Sequence, residues 1–201
     1  TGYPVEDLSL RPSFQTASEQ ATKDFATELK SAGLGEVLVF VGYLRRTNDT
    51  EAKTLGVPRG GPMNSAAVIY DGQIQTSYAK HHLPNYGVFD EYRYFVPGNE
   101  SVLIRAFGID IAVAICEDLW QDGGPVSQVK ANNAGLLVVL NGSPYERDKD
   151  DLRLNLVKRR AQEASATLAY VNMVGGQDEL VFDGGSFVMN ANGTITNQLP
   201  Y

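Results

Sequence analysis

The sequence predicts an α/β protein, and more closely an α-β-β-α sandwich, in which two sheets pack face to face between layers of helix. Hairpin signals occur in both halves of the chain, and in the second half apolar runs of strand length alternate with helical segments. The strands are apolar almost throughout, so both faces of a sheet must be buried. Helices cover one face, and a second sheet is the simplest cover for the other.

The first predicted element is a helix. Thr16 and Glu19 have the spacing of a capping box, which predicts that the helix begins near Thr16. Gly33 and Gly35 follow, and glycine commonly ends a helix. Apolar residues at intervals of four predict its buried face, which comprises Ala17, Ala21, Phe25 and Leu29.

Three strands and a long loop come next. An apolar run over 36–44 predicts the first strand, and residues 63–70 and 73–79 predict a hairpin that turns at Asp71-Gly72. Residues 80–100 are polar and aromatic. This segment is longer than an ordinary connection, and long ordered loops usually carry function.

The second half of the chain predicts alternating strands and helices, followed by a glycine-rich loop and a hairpin that turns at Asn192-Gly193. The predicted strands are 102–107, 109–116, 135–141 and 168–174, and the predicted helices are 125–133 and 150–166. In the last helix we expect Leu152, Leu156 and Ala164 to face inward and Arg153, Lys158 and Arg159 to face solvent. No internal repeat or linker occurs, which predicts one domain over 1–201.

The composition limits the classes of protein and partner. With 201 residues, 43% of them hydrophobic, the chain can bury a sizeable core. A net charge of −7 argues against a nucleic-acid-binding surface, and one cysteine and two histidines argue against a zinc site. No apolar run reaches the length of a membrane span, and no signal peptide is visible. We therefore expect a cytoplasmic protein without nucleic-acid or membrane partners.

Cys116, the only cysteine, is the most informative residue. It follows the apolar run 109–115, and the polar residues Glu117 and Asp118 come directly after it. A thiol at the carboxyl end of a core strand lies at the sheet edge where open α/β proteins bind ligands, and this position suits nucleophilic attack. The alternative stays open at this point, because most lone cysteines on apolar strands are inert core residues.

Polar residues also follow other strands. Asn141-Gly142-Ser143-Pro144 and residues 175–179 reach the same sheet edge as Cys116 if the central strands are parallel. Lys80 directly follows the first hairpin. A lysine beside a cysteine favours the thiolate and can stabilise an oxyanion. The alternative for Lys80 is a solvated surface lysine.

Two motifs in this chain resemble those of the nitrilase (carbon–nitrogen hydrolase) superfamily. Its lysine motif is similar to residues 80–95, which begin Lys-His-His-Leu-Pro-Asn-Tyr-Gly, and its cysteine motif is similar to Cys-Glu-Asp-Leu-Trp at 116–120. Within the superfamily, the chain resembles the glutaminase domains of glutamine-dependent NAD⁺ synthetases. The stretches that carry this closer resemblance are 1–8, 83–86, 141–144 and 175–180.

The resemblance implies a Glu-Lys-Cys triad. Cys116 would attack the side-chain amide of glutamine, ammonia would leave, and water would hydrolyse the glutamyl thioester. Lys80, with a backbone N–H just after Cys116, would hold the oxyanion. Glu91 matches a second acidic position whose carboxylate would keep Lys80 charged and oriented. By sequence alone, Glu91 is equally compatible with a surface carboxylate.

The resemblance also implies a glutamine pocket, formed by Tyr3, Tyr86, Trp120 and Ser143. Aromatic walls and a hydroxyl suit a small polar amide, although the aromatic residues are also compatible with core or interface packing. Hydrolysis would need no metal or cofactor in this domain, because lysine and backbone donors handle the oxyanion. The family further implies homo-oligomers.

Two features depart from the family pattern. The general-base glutamate would lie a few residues before Thr1, on a strand absent here, and Glu6 falls on the wrong side of Thr1-Gly2-Tyr3-Pro4 to replace it. We therefore expect both ends to be cuts within a longer polypeptide, and this chain alone to be inactive or badly impaired. The ATP- and Mg²⁺-dependent synthetase domain is also absent. The glycine pairs 60–61, 123–124 and 184–185 lack the lysine and spacing of a phosphate loop, and we interpret them as turns.

We expect residues 1–201 to form a glutaminase domain, incomplete at its N-terminus, that supplies ammonia to the synthetase domain of the same polypeptide for amidation of deamido-NAD⁺. Two alternatives stay open. A standalone amidase or nitrilase would keep the Lys80 and Cys116 motifs without needing the similarities at 83–86 and 175–180. A non-catalytic binding domain would have lost the general-base glutamate.

Overall fold

The computed structural model describes residues 3–47, 61–147 and 149–201. The chain divides into two compact units, residues 1–100 and 101–201, which are described separately. Thr1 and Gly2 of the predicted N-terminal loop, and Gly60 of the first glycine pair, lie outside the described residues. The single domain over 1–201 stays a prediction.

The first unit contains one long helix and an antiparallel sheet in the order β1-β2-β3. A 3₁₀ turn at Glu6–Leu10 precedes the helix. The elements are α1 (Pro12–Ser31), β1 (Val39–Arg46), β2 (Pro62–Tyr70), β3 (Gln73–Ala79) and the short α2 (Glu91–Tyr94). The hairpin prediction is confirmed: β2 and β3 pair around Asp71-Gly72, both of which have positive φ.

The predicted start of α1 was wrong, and so was its predicted buried face except at Leu29, which packs half-buried against the core of the first unit. The helix begins at Pro12, and its buried residues are Gln15, Ser18, Thr22 and Ala26, whereas the ring of Phe25 is 40% exposed. The reason is the free edge of β1. Ser18 Oγ accepts the N–H of Leu44, and a carboxylate oxygen of Glu19 accepts the N–H of Arg46. Polar side chains therefore face the sheet because they satisfy edge-strand donors.

The second unit contains a six-stranded sheet in the order β11-β10-β7-β6-β5-β4 and a separate two-stranded ribbon, β8-β9. Strands β5, β6 and β7 are parallel, and the outer pairs are antiparallel. The strands are β4 (Leu103–Ala106), β5 (Ile109–Ile115), β6 (Leu136–Asn141), β7 (Thr167–Asn172), β8 (Val174–Gln177), β9 (Leu180–Asp183), β10 (Phe187–Met189) and β11 (Ile195–Gln198). The helices are α3 (Glu117–Trp120), α4 (Gly124–Ala131) and α5 (Lys149–Ala164).

Most of these elements were predicted within a few residues, and the hairpin around Asn192-Gly193 is confirmed. Two details were wrong. The segment after β7, predicted as a glycine-rich loop, forms the β8-β9 ribbon. On α5, Leu152 is 60% exposed while Arg153 is buried. Arg153 faces inward because buried carbonyl and carboxylate groups accept its hydrogen bonds.

The main core of the second unit lies between one face of the six-stranded sheet and its helices. Val126 and Val129 of α4 and Val157 and Ala161 of α5 belong to the same apolar cluster as Leu137 of β6. The predicted mixed α/β class is confirmed. None of the described helices is both long and apolar enough to cross a membrane.

Candidate active site

Lys80 is held at the end of β3 by backbone contacts on both sides. Its N–H donates to the carbonyl of Asn64 at 2.8 Å, and its carbonyl accepts the N–H of Gly98 at 2.8 Å. Gly98 packs so closely that a Cβ there would lie 2.2 Å from the carbonyl oxygen of Ala79. The main chain at Lys80, and with it the position of the Lys80 Cα atom, is therefore fixed by these contacts.

The Lys80 ammonium is paired with Glu91 in the interior of the first unit. Nζ lies 2.8 Å from Oε1 and 2.9 Å from Oε2, and the two residues are only 1% and 3% exposed. Tyr3 donates its hydroxyl to Glu91 Oε1 at 2.7 Å. Glu91 opens α2, and its N–H donates to the carbonyl of Pro84. The solvated alternatives for Lys80 and Glu91 are wrong, because both side chains are buried.

Aromatic side chains lie beside this ion pair. Tyr3 and Phe89 line a pocket that also includes Glu91, and their ring centroids are 6.4 Å apart. Tyr86 packs edge-on against Phe89 at 5.6 Å, but 55% of its surface is exposed. Tyr3 therefore contacts the Glu91 carboxylate directly, whereas Tyr86 lies at the surface of the loop that carries Phe89.

Cys116 lies in the turn between β5 and α3. Its φ of 43° and ψ of −95° are unusual for a residue with a side chain, and it is only partly buried. Its N–H donates to the carbonyl of Leu140 at 3.0 Å, and Asp118 Oδ2 accepts the N–H of Ile115 at 3.0 Å. A strained strand-to-helix turn of this kind presents a nucleophile at the end of a sheet. The strained turn favours the interpretation of Cys116 as a nucleophile, which stays a prediction.

The parallel strands bring Cys116 and the segment 141–144 to one sheet edge, as expected. Residues 175–179, which were expected at the same edge, instead belong to the β8-β9 ribbon and its turn, and Asn172 is the polar residue that ends β7. Cys116 follows β5, Asn141 ends β6 and Asn172 ends β7. The Ser143 N–H donates to Asn172 Oδ1 at 3.0 Å, and the Asn172 amide donates to the Gly184 carbonyl at 3.0 Å. Ser143 is thus fixed in a buried loop at this edge.

Arg153 was predicted to face solvent, but its side chain is buried beside the Ser143 loop. Its guanidinium donates to both carboxylate oxygens of Asp183 at 3.0 Å and to the carbonyls of Ser143 and Pro144 at 3.1 and 3.2 Å. This fork joins α5, β9 and the Ser143 loop. Helical periodicity does not predict the burial of Arg153, because it assigns every arginine to the solvent-facing side.

Trp120 ends α3, where it packs half-buried against the main core of the second unit. Arg160 stabilises this turn from α5. Its guanidinium donates to the carbonyls of Leu119 and Gln121, each at 2.7 Å. The backbone around Trp120 is therefore held by a buried cation at the carboxyl end of α3.

The candidate residues fall into two groups. The first unit brings Lys80, Glu91, Tyr3 and Tyr86 together, and the second brings Cys116 and Ser143 to one sheet edge, with Trp120 at the end of α3. The catalytic and substrate-binding roles of these residues stay predictions. Among the described residues, no cluster of three or more histidine, cysteine or acidic side chains is arranged to hold a metal.

The chain is similar to known proteins over nearly its whole length. The carbon–nitrogen hydrolase family model matches residues 1–201. A glutamine-dependent NAD(+) synthetase of Thermotoga maritima is 40% identical over 197 residues, which cover 98% of this chain and 32% of that protein. The chain spans about a third of the length of the curated relatives it matches.

Solved structures share the fold. The glutamine-dependent NAD+ synthetase from Acinetobacter baumannii, in complex with ADP, aligns with a TM-score of 0.84 and 39% identity, covering 99% of this chain and 35% of that one. An amidase from Nesterenkonia sp. aligns with a TM-score of 0.74 and 23% identity, covering 99% of this chain and 69% of the amidase. The predicted nitrilase-like fold is confirmed.

Proposed function

The chain belongs to the carbon–nitrogen hydrolase family, and on that premise we propose that it is the glutamine-hydrolysing part of a glutamine-dependent NAD⁺ synthetase. The observation that carries the proposal is the 40% identity to such a synthetase over 98% of this chain. The local geometry supports it. A buried lysine paired with a carboxylate and a cysteine in a strained turn suit oxyanion stabilisation and nucleophilic attack.

In the proposed reaction, the Cys116 sulfur bonds to the amide carbon of glutamine while the carbonyl electrons move onto oxygen. The Lys80 ammonium and a backbone N–H just after Cys116 stabilise that oxyanion. The C–N bond then breaks, and ammonia leaves with the proton that the general base took from the thiol. Water adds to the thioester, and its proton passes through the same base to the departing sulfur, which releases glutamate.

The contacts of Glu91 favour a positioning role for this residue. Its carboxylate accepts two hydrogen bonds from Lys80 and one from Tyr3. These three hydrogen bonds hold the carboxylate against the Lys80 ammonium, so that it fixes the direction of that side chain. We therefore assign proton transfer to the family glutamate expected before Thr1, and the orientation of Lys80 to Glu91.

The ammonia would pass to an ATP- and Mg²⁺-dependent synthetase domain of the same polypeptide, which would amidate deamido-NAD⁺ in the cytoplasm. Glutamine is the proposed substrate of this chain, with Tyr3, Tyr86, Trp120 and Ser143 around it. We propose that the hydrolytic step itself uses no metal or cofactor. Homo-oligomers, which the family resemblance implies, form part of the same proposal.

The test is NAD⁺ formation by the full-length protein with glutamine or with ammonium as nitrogen donor. Cys116→Ala should abolish the glutamine-dependent rate and leave the ammonium-dependent rate unchanged. Lys80→Ala should lower the glutamine-dependent rate by about 10²–10³-fold, as loss of an oxyanion partner does. Lys30→Ala is the matched control, because Lys30 is exposed and pairs with the equally exposed Asp71.

The outcomes separate the alternatives. Equal loss with both nitrogen donors in Cys116→Ala would contradict a role confined to glutamine hydrolysis. Amide hydrolysis without any NAD⁺ formation would identify a standalone amidase. Absence of both activities in the unmodified full-length protein would leave a binding domain.

A further inference from the structure

The hydroxyl of Tyr170 is a buried polar group that the proposed reaction does not use. Tyr170 lies on β7, is 1% exposed, and stacks on Phe187 with ring centroids 5.2 Å apart. Within the described part of the chain, its hydroxyl has no partner that meets hydrogen-bond geometry. A buried hydroxyl without a partner is costly and therefore calls for an explanation.

Strand register places this side chain beneath the edge that carries Cys116. Tyr170 is in register with Val139 of β6, which is in register with Ala114 of β5. Residues in register lie on the same face, and all three belong to the core cluster under α4 and α5. Tyr170 therefore lies on the helix-covered face of the sheet. It is level with Ala114, and Cys116 lies two residues further along the chain, at the sheet edge.

The surroundings of the hydroxyl keep it protonated. Burial raises the pKa of Tyr170 far above its ordinary value, and a negative charge on Cys116 raises it further. Arg153 and the side chain of Ser143 lower it in part, although Ser143 does not meet hydrogen-bond geometry. At neutral pH the group is therefore a neutral O–H donor that responds to charge on Cys116.

We propose that Tyr170 is a positioning residue that favours the Cys116 thiolate, because its hydroxyl donates a hydrogen bond toward the sulfur once the sulfur is charged. A neutral thiol is a weak acceptor, whereas a thiolate is a strong one. The interaction therefore strengthens only when the proton leaves, and it lowers the pKa of the thiol. This inference rests on the proposed role of Cys116 as nucleophile.

Other charged groups of the second unit lie on the elements that follow Cys116 or pack near Tyr170. They are Glu117 and Asp118 on α3, Arg153 and Arg160 on α5, and Asp183 on β9. Arg153 is neutralised by Asp183, and Arg160 is bound to the carbonyls of α3. All of them remain when only the hydroxyl is deleted, so Tyr170→Phe isolates its effect.

The experiment measures the pH dependence of Cys116 alkylation by iodoacetamide in the full-length protein without glutamine, with the Cys116 peptide quantified by mass spectrometry. In Tyr170→Phe the midpoint should move up by about one pH unit, which corresponds to roughly tenfold slower alkylation below both midpoints. Tyr43→Phe is the matched control. It removes a buried hydroxyl that bonds to Ser77 in the other sheet, and it should leave the midpoint unchanged.

Thermal unfolding gives a second measurement. Because the Tyr170 hydroxyl finds no hydrogen-bond partner in the part of the chain that the structure describes, Tyr170→Phe should not lower the Tm, whereas Tyr43→Phe should lower it. An unchanged alkylation midpoint, or a Tm loss in Tyr170→Phe as large as that in Tyr43→Phe, would overturn the proposal. Alkylation requires no turnover, so it can be measured even in a protein that does not hydrolyse glutamine. If Tyr170→Phe shifts the alkylation midpoint in such a protein, the proposed function is refuted and the role of Tyr170 is not.

Discussion

Lys80 Nζ lies within 2.9 Å of both carboxylate oxygens of Glu91, and neither side chain is more than 3% exposed. Burial of two charges is costly, and their mutual attraction repays that cost only while both are present. We therefore expect the pair to orient Lys80 and to add little net stability to the fold. Stability and turnover can then be measured as two separate effects of the pair.

This pair can be tested by replacing one member or both. Glu91→Gln should lower the free energy of unfolding by about 3 kcal/mol, because it leaves the Lys80 ammonium buried without a counter-charge. The double variant Lys80→Met with Glu91→Leu should recover most of that loss but none of the glutamine-dependent activity. Urea unfolding and turnover of the full-length protein measure the two effects. A double variant no more stable than Glu91→Gln would contradict the expected desolvation cost.

The strained turn at Cys116 predicts a conflict between stability and function. A residue with a side chain at φ 43° costs about 1–3 kcal/mol, and glycine relieves that strain. Cys116→Gly should therefore be more stable than Cys116→Ala by about 1 kcal/mol, although both lack the nucleophile. Ala114→Gly, within regular β5, is the control and should destabilise the protein. If Cys116→Gly proves less stable than Cys116→Ala in urea unfolding, the turn stores no strain.

The Arg153 fork predicts an effect on glutamine binding. Lysine keeps the charge but cannot reach Asp183 and two carbonyls in one plane, so Arg153→Lys should free the loop that holds Ser143. We expect KM for glutamine to rise about tenfold, with a smaller change in kcat. Steady-state kinetics with glutamine measure both constants.

Arg159→Lys on the same helix is the matched control for this variant. The Arg159 side chain is 57% exposed, and its guanidinium lies 4.0 Å from the exposed carboxylate of Asp122, so its replacement should leave both constants unchanged. A fall in kcat at constant KM in Arg153→Lys would show that the fork acts on the chemical step instead of on binding.

The contact between Gly98 and the end of β3 predicts sensitivity to a single methyl group. A Cβ at position 98 would lie 2.2 Å from the Ala79 carbonyl oxygen, so the main chain next to Lys80 must shift. Gly98→Ala should lower both glutamine-dependent turnover and the free energy of unfolding, the latter by about 1–3 kcal/mol. Gly42→Ala on β1 is the control, because a Cβ placed there would have no atom of the described residues within 4 Å apart from its own chain neighbours. Equal behaviour of the two variants would contradict the contact.

Local patterns predicted much of the fold. The Asp71-Gly72 and Asn192-Gly193 turns predicted both hairpins, because positive φ at such pairs suits tight turns. Alternating strands and helices predicted the parallel strands β5 to β7, and these bring Cys116 to the sheet edge. Each of these signals acts over a few residues, which is why it is visible in sequence.

Polar pairing was not predictable in the same way. Ser18 and Glu19 face the sheet because they bind edge-strand amides of β1, and the buried face of α1 is therefore shifted by one residue from the face that its apolar pattern predicted. Arg153 is buried because Asp183 and the Ser143 loop accept its hydrogen bonds. Hydrophobic periodicity treats all such residues as solvent-facing, and it therefore misplaces those that find buried partners.

The amino-acid sequence alone identified the family and marked Lys80, Glu91 and Cys116, since motif residues and strand-end positions are local features. Only the tertiary structure showed that Tyr3 and Glu91, 88 residues apart, share a hydrogen bond, and that the buried Tyr170 hydroxyl finds no such partner among the described residues. The physical reason is that the ionic and hydrogen-bonding state of a buried group depends on neighbours that chain folding supplies from distant segments.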